Sequence, residues 1–299
     1  MTLFNLILQF IISGLSVGST YALIAIGFNA VYNATGVVNF AQCIFIMLGG
    51  MLGITFHSFL KLPLMVSVLL SVMSVTFIGA LIGRGILRIS KSQQVVILIF
   101  ITIGISVSVE GIALLLWGPF PLALPSFSGE NPLFISGAVI SPQNLWIYGV
   151  TFVVVVSLYY FFKRTIVGKA MRAAAVNRKG AYLVGINVER MVMLSFALSG
   201  GLGAVAGVII APITTSSYDV GTIVGLKGFA AAILGGYGNM FGAVIGGLLL
   251  GLLESIGAGL ISSTYKNVIA FFILLIILFF KPTGILGRRE AETVYEETI

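Results

Sequence analysis

The chain has 299 residues, of which 59% are hydrophobic and only 8% are charged. Soluble domains carry about a quarter charged residues, so this composition excludes a water-soluble fold and indicates a polytopic α-helical membrane protein. The net charge of +7 does not indicate a nucleic-acid partner, because the basic residues lie in short loops beside apolar runs, as membrane topology requires. One cysteine, Cys43, and one histidine, His57, exclude an internal disulfide and a cysteine- or histidine-rich metal site.

In the first half of the chain, apolar runs near 20 residues long predict spans at 4–32, 37–56, 63–87 and 95–117. The first run is long for one straight span, so we expect tilt or a break near Gly18. Basic residues at 84–91 place the end of the third span in the cytoplasm. The proline-rich linker 118–143 has no lysine or arginine, which places it outside.

In the second half, spans are predicted at 145–162, 191–213 and 268–280. The interval 226–261 differs, because FAAAILGG is too short to cross about 30 Å of hydrocarbon at about 1.5 Å per residue. GGYGN then interrupts it and a longer apolar run follows. We therefore predict a broken or re-entrant helix pair and about eight crossings. They form one transmembrane domain over 1–299, with the C-terminus in the cytoplasm.

The stretch 163–190 carries seven of the 16 basic residues between two apolar spans, which places it in the cytoplasm. Gly168 to Val176 is short, alanine-rich and helix-forming. Asn177 can cap a second helical turn, and Gly185 falls where a helix end favours a left-handed residue. Asn187 can cap the next span, with Glu189 in its first turn. These signals predict a small folded platform for a cytoplasmic partner; the alternative is a basic loop that only sets topology.

Ionisable side chains at membrane depth cost at least about 2.5–3.5 kcal/mol each at the bilayer centre, so they often mark functional sites. Glu110 and Glu254 lie inside predicted spans, and Lys227 opens the short FAAAILGG segment. The carboxylates could line a polar pathway or form inter-helix hydrogen bonds, and Lys227 could line the pathway or extend to the membrane surface. Further candidates for a lined cavity, or for packing between helices, are Tyr21, Asn39 and Gln42.

The sequence contains no motif for nucleotide binding or catalysis. Gly168-Lys169 lacks both the upstream glycine and the following hydroxyl of a phosphate-binding loop. No Ser/His/Asp set, HExxH motif or paired carboxylates occur at usable spacing. We therefore expect the chain to do no chemistry of its own and not to be an enzyme.

Four stretches have a recognisable pattern: GSTYALIAIGFNAVY, GKAMRAAAVNRKGAYLVGINVERMVMLSFALSGGLGAVAGV, GLKGFAAAILGGYGNMFGAVIGGLLLGLLE and YKNVIAFFILLIILFFKPTGILGR. Together they resemble the branched-chain amino acid permeases of ABC importers. The resemblance implies a bacterial inner-membrane permease that forms a heterodimer with a second, related permease. It also implies two cytoplasmic ATP-binding subunits, which hold ATP and magnesium, and a periplasmic substrate-binding protein. No cofactor is expected in this chain.

The resemblance further implies that the segment from Gly168 to Ile186 seats in a cleft of the ATPase. The residues expected to couple the two proteins are Gly168, Lys169, Ala170, Arg172, Ala173, Asn177, Gly185 and Ile186. The second span departs from the family pattern Asn-[Phe/Leu]-Ala-[His/Gln]-Gly-Glu, because Cys43 and Ile44 replace its glycine and acid. If that acid recognises substrate in the family, Glu110 is the candidate to compensate.

The sequence thus predicts the permease subunit of an ATP-driven importer for branched-chain or other small apolar amino acids. A permease for urea, amides or another small solute is the nearest alternative within that class. In a different class, a self-sufficient secondary transporter would use Glu110 and Glu254 as proton or cation groups. Co-purifying ATPases would favour the first class, and ion-driven uptake by the chain alone would favour the second.

Overall fold

The computed structural model describes residues 3–89, 95–129, 131–135, 138–260, 262–281 and 283–287. In the first half of these residues the helices are α1 (Leu3–Thr35), α2 (Gln42–Ile54), α3 (Leu64–Ile89), α4 (Val95–Trp117) and α5 (Pro142–Arg164). In the second half they are α6 (Ile166–Val176), α7 (Arg178–Leu183), α8 (Val188–Thr214), α9 (Val220–Gly235), α10 (Met240–Leu260) and α11 (Lys266–Phe280). An antiparallel hairpin of β1 (Leu133–Ile135) and β2 (Ala138–Ile140) lies in the linker before α5; the sequence did not predict it.

The predicted all-helical polytopic fold is confirmed. Among the described residues, seven helical segments are long and apolar enough to cross a membrane: α1, α2 with the π-helical turn Thr55–Phe59 that extends it, α3, α4, α5, α8 and α10. α9 has 16 residues and α11 has 15, so both are short for a full crossing. The C-terminal tail after residue 287, predicted to be cytoplasmic, and residues 90–94 lie outside the described residues.

The two ends of the helical bundle carry different elements: two short helices at one end and the β-hairpin at the other. The platform end holds α6 and α7, between the end of α5 and the start of α8. The hairpin end holds β1 and β2. α1 joins the two ends: the Gln9 side-chain amide exchanges two hydrogen bonds with the backbone of Val139 in β2, and the Thr35 carbonyl accepts one from Arg178 beside α7.

The core of the bundle consists of α1, α2 and α8. In each of these segments, 67% of the most apolar window is buried, against 17–22% in α3, α4 and α5. The latter helices expose large apolar side chains such as Met73, Phe100 and Phe152, as helices that face lipid or another subunit do. Polar groups on the core helices are therefore shielded by the protein itself.

α1 is continuous through Gly18, so the break considered there does not occur. Gly18 instead lies against α10, where a Cβ atom built on Gly251 would be 2.3 Å from its Cα atom. Farther along, the Asn29 side chain donates to the carbonyl of Asn239, at the start of α10 (3.0 Å). α1 and α10 are therefore antiparallel and pack backbone to backbone, which only small residues permit.

The chain between α1 and α2 is irregular at membrane depth. Gly36 has φ +69°, and residues 37–41 lead back into the bundle. α2 begins at Gln42, whose side chain contacts Ser199 near the middle of α8. The predicted second span is therefore helical only from Gln42 onward. This backbone is tolerated because protein covers it; Asn39 is only 1% exposed.

The break predicted at GGYGN is confirmed. α9 ends at Gly235, and Gly236 and Gly238 have φ values of 103° and 86° before α10 begins. The two helices form an antiparallel hairpin, so closely packed that a Cβ atom on Gly242 would lie 2.2 Å from the Gly235 carbonyl oxygen. The described chain after α11 covers the break, since the backbone N–H of Leu286 donates to the same carbonyl (3.0 Å).

Candidate functional site

The platform (residues 165–187) is folded, with a side-chain cap at the start of each helix. Thr165 Oγ1 accepts from the N–H of Gly168 at the start of α6 (3.0 Å). Asn177 caps α7 through the N–H of Gly180 (2.8 Å), and Asn187 caps α8 through the N–H of Arg190 (2.9 Å). The predicted helix, both asparagine caps and the left-handed Gly185 (φ +85°) are therefore present.

The predicted coupling residues divide into a buried and an exposed group. Gly168 is buried against α5, because a Cβ atom there would lie 2.3 Å from the carbonyl oxygen of Phe161. Ala170 and Ile186 are half-buried. The exposed members are Lys169, Arg172, Ala173, Asn177 and Gly185. Gly168 therefore fixes α6 on the bundle, whereas the exposed members are available to a partner.

Sequence reasoning missed the apolar surface of the platform. Its members, called here the apolar ridge, project into solvent although each is large: Ile166, Val176, Tyr182, Leu183 and Val184, exposed by 86%, 89%, 74%, 84% and 76%. Five large apolar side chains exposed within one short basic segment indicate a protein interface. Their hydropathy was visible in the sequence, but the direction in which they point was not.

Sequence reasoning also did not assign a role to Arg178. It opens α7, and its guanidinium Nη2 donates to the Thr35 carbonyl at the end of α1 (2.7 Å). The Thr35 hydroxyl in turn accepts from the N–H of Val37, in the irregular segment (3.1 Å). Arg178 thus links the platform to the end of α1, where the irregular segment begins.

Three of the predicted pathway residues form one buried charge cluster, from three different helices. Glu254 on α10 is fully buried and accepts from Lys227 Nζ on α9 (2.8 Å) and from the Tyr21 hydroxyl on α1 (2.9 Å). Lys266 Nζ, at the start of α11, lies 3.3 Å from the same carboxylate, and its side chain is 43% exposed. Lys227 is 4% exposed and does not extend to the surface. The cluster carries two cations for one carboxylate.

This cluster reaches the hairpin end of the bundle through a cavity. The cavity has a volume of about 330 Å³ and is lined by Glu254 and Lys266 together with Phe10, Ser13 and Ser263. The exposed lysine makes its mouth positive, so the field there favours a carboxylate or another anion over a cation.

Asn39 and Gln42 lie together at the start of α2, away from the charge cluster. Asn39 Oδ1 accepts from the N–H of Ala41 (3.0 Å), and Gln42 Oε1 accepts from the Ser199 hydroxyl. Their amide nitrogens are buried without a hydrogen-bond partner among the described residues. Such groups are costly, so the irregular segment carries unused donors inside the bundle.

Glu110 lies apart from both groups. Its carboxylate on α4 is half-buried and accepts from the Thr222 hydroxyl at the start of α9 (3.0 Å). The neighbouring Gly221 packs on the carbonyl of Cys43. Glu110 and Cys43, the residue in place of the motif glycine, therefore contact the same turn of α9.

Neither Cys43 nor His57 forms part of a metal site in the described structure. Cys43 is buried against Gly225, and the His57 ring Nδ1 lies 2.9 Å from the carbonyl of Leu62. Where the described residues were searched, no group of three or more His, Cys, Asp or Glu side chains could hold a metal ion.

Comparison with known proteins gives the class of this chain. A family profile described as "Branched-chain amino acid transport system / permease component" matches residues 10–278. The permease BraD of Pseudomonas aeruginosa, of a high-affinity branched-chain amino acid transport system, is 37% identical over 300 residues, 96% of this chain and 98% of that protein. The corresponding permease LivH of Escherichia coli K12 is 35% identical over 306 residues, 96% and 97% of the two chains. The ribose import permease RbsC of Haemophilus influenzae is 27% identical over 276 residues, 87% and 80% of the two.

The protein is therefore a multi-pass transport permease. It belongs to the family of permease components of branched-chain amino acid transport systems. This membership favours the importer prediction over an ion-coupled transporter.

Proposed function

We propose that this chain is the permease subunit of an ATP-driven importer of branched-chain or similar small apolar amino acids in the bacterial inner membrane. It would supply the substrate path as a single transmembrane domain without a cofactor of its own. Its partners would be a second, related permease, two ATP-binding subunits that hold ATP and magnesium, and a periplasmic binding protein. The names of the BraD and LivH relatives support the substrate class. Because RbsC, a ribose import permease, is also similar to this chain, the substrate is to be tested by measuring uptake.

The observation that carries the coupling part of the proposal is the apolar ridge on a basic, capped platform. An ordinary topogenic loop needs only charge, whereas this segment has defined helices and about five large apolar side chains in solvent. Burying such a surface favours association with another protein. We assign that surface to the ATP-binding subunits, with the platform end of the bundle in the cytoplasm.

Movement of the platform has a route into the membrane. α6 is seated on the bundle through the close approach of Gly168 to α5, so it would move with the helices. Arg178 holds the end of α1 directly, and the irregular segment with Asn39 begins two residues after Thr35. We propose that closure of the ATPases shifts this linkage and rearranges the unwound stretch. Such coupling requires two global states with different contacts.

The substrate path would follow the polar groups on α1, α2, α9 and α10. Near the hairpin end, Lys266 and Lys227 beside Glu254 would attract the carboxylate of an incoming amino acid. Deeper in the bundle, the unpartnered amides of Asn39 and Gln42 offer hydrogen bonds to a polar group in transit. Glu110 would serve the same path from α4. The apolar side chains of Phe10 and Val17, which line the cavity beside Glu254, suit an aliphatic side chain.

The docking proposal is tested with Leu183→Ser/Val184→Ser, which removes two members of the ridge. Because both side chains are exposed, the melting temperature should stay within about 2 °C of wild type. Co-purification of the ATP-binding subunits and ATP-dependent leucine uptake in proteoliposomes should fall at least about tenfold. Ala175→Ser, on the exposed side of α6, is the matched control and should change neither. Full assembly and uptake by the double variant would remove the docking role.

The substrate class is tested separately on the assembled importer. Radiolabelled leucine, isoleucine and valine should be taken up in an ATP-dependent manner and should compete with one another. Excess ribose or urea should not compete. Competition by urea, or uptake by the lone chain driven by an ion gradient, would assign the protein to one of the alternative classes.

A further inference from the structure

A second cavity lies at the platform end, outside the charge cluster and the apolar ridge. Its volume is about 660 Å³, and it is open where α5 ends, α10 begins and α6 crosses beneath α1. Cavities of a few hundred Å³ bind small molecules and single lipid groups. The proposed transport function gives this space no role.

The lining of the cavity changes from apolar to polar along the bundle axis. Its deeper wall consists of apolar side chains on α5 and α10, farther from the ends of those helices: Val155, Leu158 and Val244. Its mouth is formed by Lys163, Arg172, Tyr32 and Asn33. An occupant that fits both parts must have an apolar portion within the membrane and a polar portion at its boundary.

The mouth is positively charged without compensation. Lys163 and Arg172 both line it and are exposed, and none of the lining side chains is acidic. The Lys163 ammonium is positioned by Tyr159, whose hydroxyl lies 2.6 Å from Nζ and whose ring centroid lies 5.0 Å away. In the described residues, neither cation has a carboxylate within ion-pair distance. An anion at this mouth must therefore come from a ligand and not from the described part of the protein.

Aromatic side chains also line the cavity beside Lys163. Tyr159 of α5 and Phe241 of α10 stack edge to face with ring centroids 5.3 Å apart. Tyr237, in the break between α9 and α10, also lines the cavity, and its hydroxyl is buried without a hydrogen-bond partner among the described residues. Tyrosines of this kind are typical of the membrane–water interface, where headgroups lie.

We propose that this cavity binds one anionic phospholipid, with its phosphate between Lys163 and Arg172 and an acyl chain along the apolar wall of α5 and α10. Basic pockets between transmembrane helices at the membrane boundary recognise acidic headgroups in this way. Arg172, predicted from the sequence to contact the ATPase, would then hold the lipid at the base of the platform. The occupied site would join α6 to α5 and α10.

The test uses the purified permease in detergent with dioleoylphosphatidylglycerol or dioleoylphosphatidylcholine, and native mass spectrometry as the readout. Wild type should bind one phosphatidylglycerol in preference to phosphatidylcholine. Lys163→Gln/Arg172→Gln should bind it about thirty-fold more weakly, the loss expected for two interfacial cations. Lys169→Gln/Lys179→Gln removes the same charge from platform residues that do not line the cavity, and should bind like wild type.

A second variant tests the apolar wall without changing charge. Val244→Trp fills the deeper part of the cavity and should also weaken phosphatidylglycerol binding, even if the charge variant is poorly folded. Equal binding of both lipids, equal loss in the two charge variants, or unchanged binding by Val244→Trp would overturn the proposal. Displacement of the lipid by millimolar inorganic phosphate would also overturn it, because the site would then recognise a free anion. None of these outcomes depends on transport.

Discussion

The platform and the buried charge cluster are specified in opposite ways. In the platform, Asn177, Gly185 and Asn187 act on backbone groups at most five positions away, in contact with water. In the cluster, Tyr21 and Glu254 are 233 positions apart, and Tyr21, Lys227 and Glu254 lie buried on three different helices. Local signals are enough for the first region, whereas the second exists only when the whole bundle is assembled. Substitutions should therefore have large global effects in the cluster and small local effects in the platform.

The largest expected effect is at Glu254. Glu254→Gln leaves Lys227 as a buried cation without a carboxylate, and breaking a buried pair in this way costs about 3–5 kcal/mol. We expect thermal unfolding of the purified protein in detergent to show a loss of stability in this range. Little protein should remain folded at 37 °C.

The double variant Glu254→Gln/Lys227→Met separates the charge from the shape of the site. It removes the unpaired cation, while the glutamine can still accept from the Tyr21 hydroxyl, so most of the lost stability should return. If the double variant is as unstable as Glu254→Gln alone, the unpaired Lys227 cation is not the cause of the lost stability.

The next largest effect concerns the packing that brings α1 and α10 together beneath the cluster. In Gly251→Ala, the new methyl group would lie 2.3 Å from Gly18, and such overpacking costs about 1–3 kcal/mol. Gly111→Ala on α4 is the control, because no atom lies within 4 Å of its added Cβ and alanine favours helix. Unfolding measured side by side should show a loss only for the first; similar values would contradict the close approach of the two backbones.

The same contrast explains which parts were predictable from the sequence. The spans, the platform helix with its caps, and the break at 236–239 follow from hydropathy and from single residues with strong local preferences. The irregular segment at 37–41 was missed, because VVNFAQ is apolar enough to begin a helix. Local bonds from the N–H groups of Val37 and Ala41 and a distant one from the Phe40 N–H to Thr102 (3.2 Å) hold it in an irregular conformation.

The charge cluster was predictable only in part, for a related reason. Hydropathy placed Lys227 and Glu254 at membrane depth, but their pairing requires the antiparallel hairpin of α9 and α10 and the register of α1. Similarly, the α7 part of the apolar ridge, Tyr182 and Leu183, depends on which side of α7 faces the bundle, and the sequence of a six-residue helix does not determine that side.

In the platform we expect smaller effects, confined to the segment. Gly185→Val forces a β-branched residue to φ +85°, which costs about 1–2 kcal/mol locally. Hydrogen exchange of the amides in 178–186 should accelerate by about tenfold while the global melting temperature changes little, and uptake and ATPase stimulation should fall. Gly185→Asn tolerates the same φ and should retain most of the coupling. Unfolding of the whole bundle by the valine would contradict the independence of the two regions.

The smallest effect on stability, and the most informative for coupling, is expected at Arg178, where the two regions are joined. Arg178→Gln removes the bond to the Thr35 carbonyl, which costs about 1 kcal/mol for a half-buried charged donor. Because this bond is the direct tie between α7 and the end of α1, leucine transported per ATP hydrolysed should fall several-fold while the ATP-binding subunits remain bound. Lys179→Gln is the matched control, because Lys179 is exposed and its substitution removes the same charge from the same helix. If the two variants transport equally well per ATP, the linkage through Thr35 does not carry the motion, and the packing of α6 on α5, α1 and α8 would be the route to examine next.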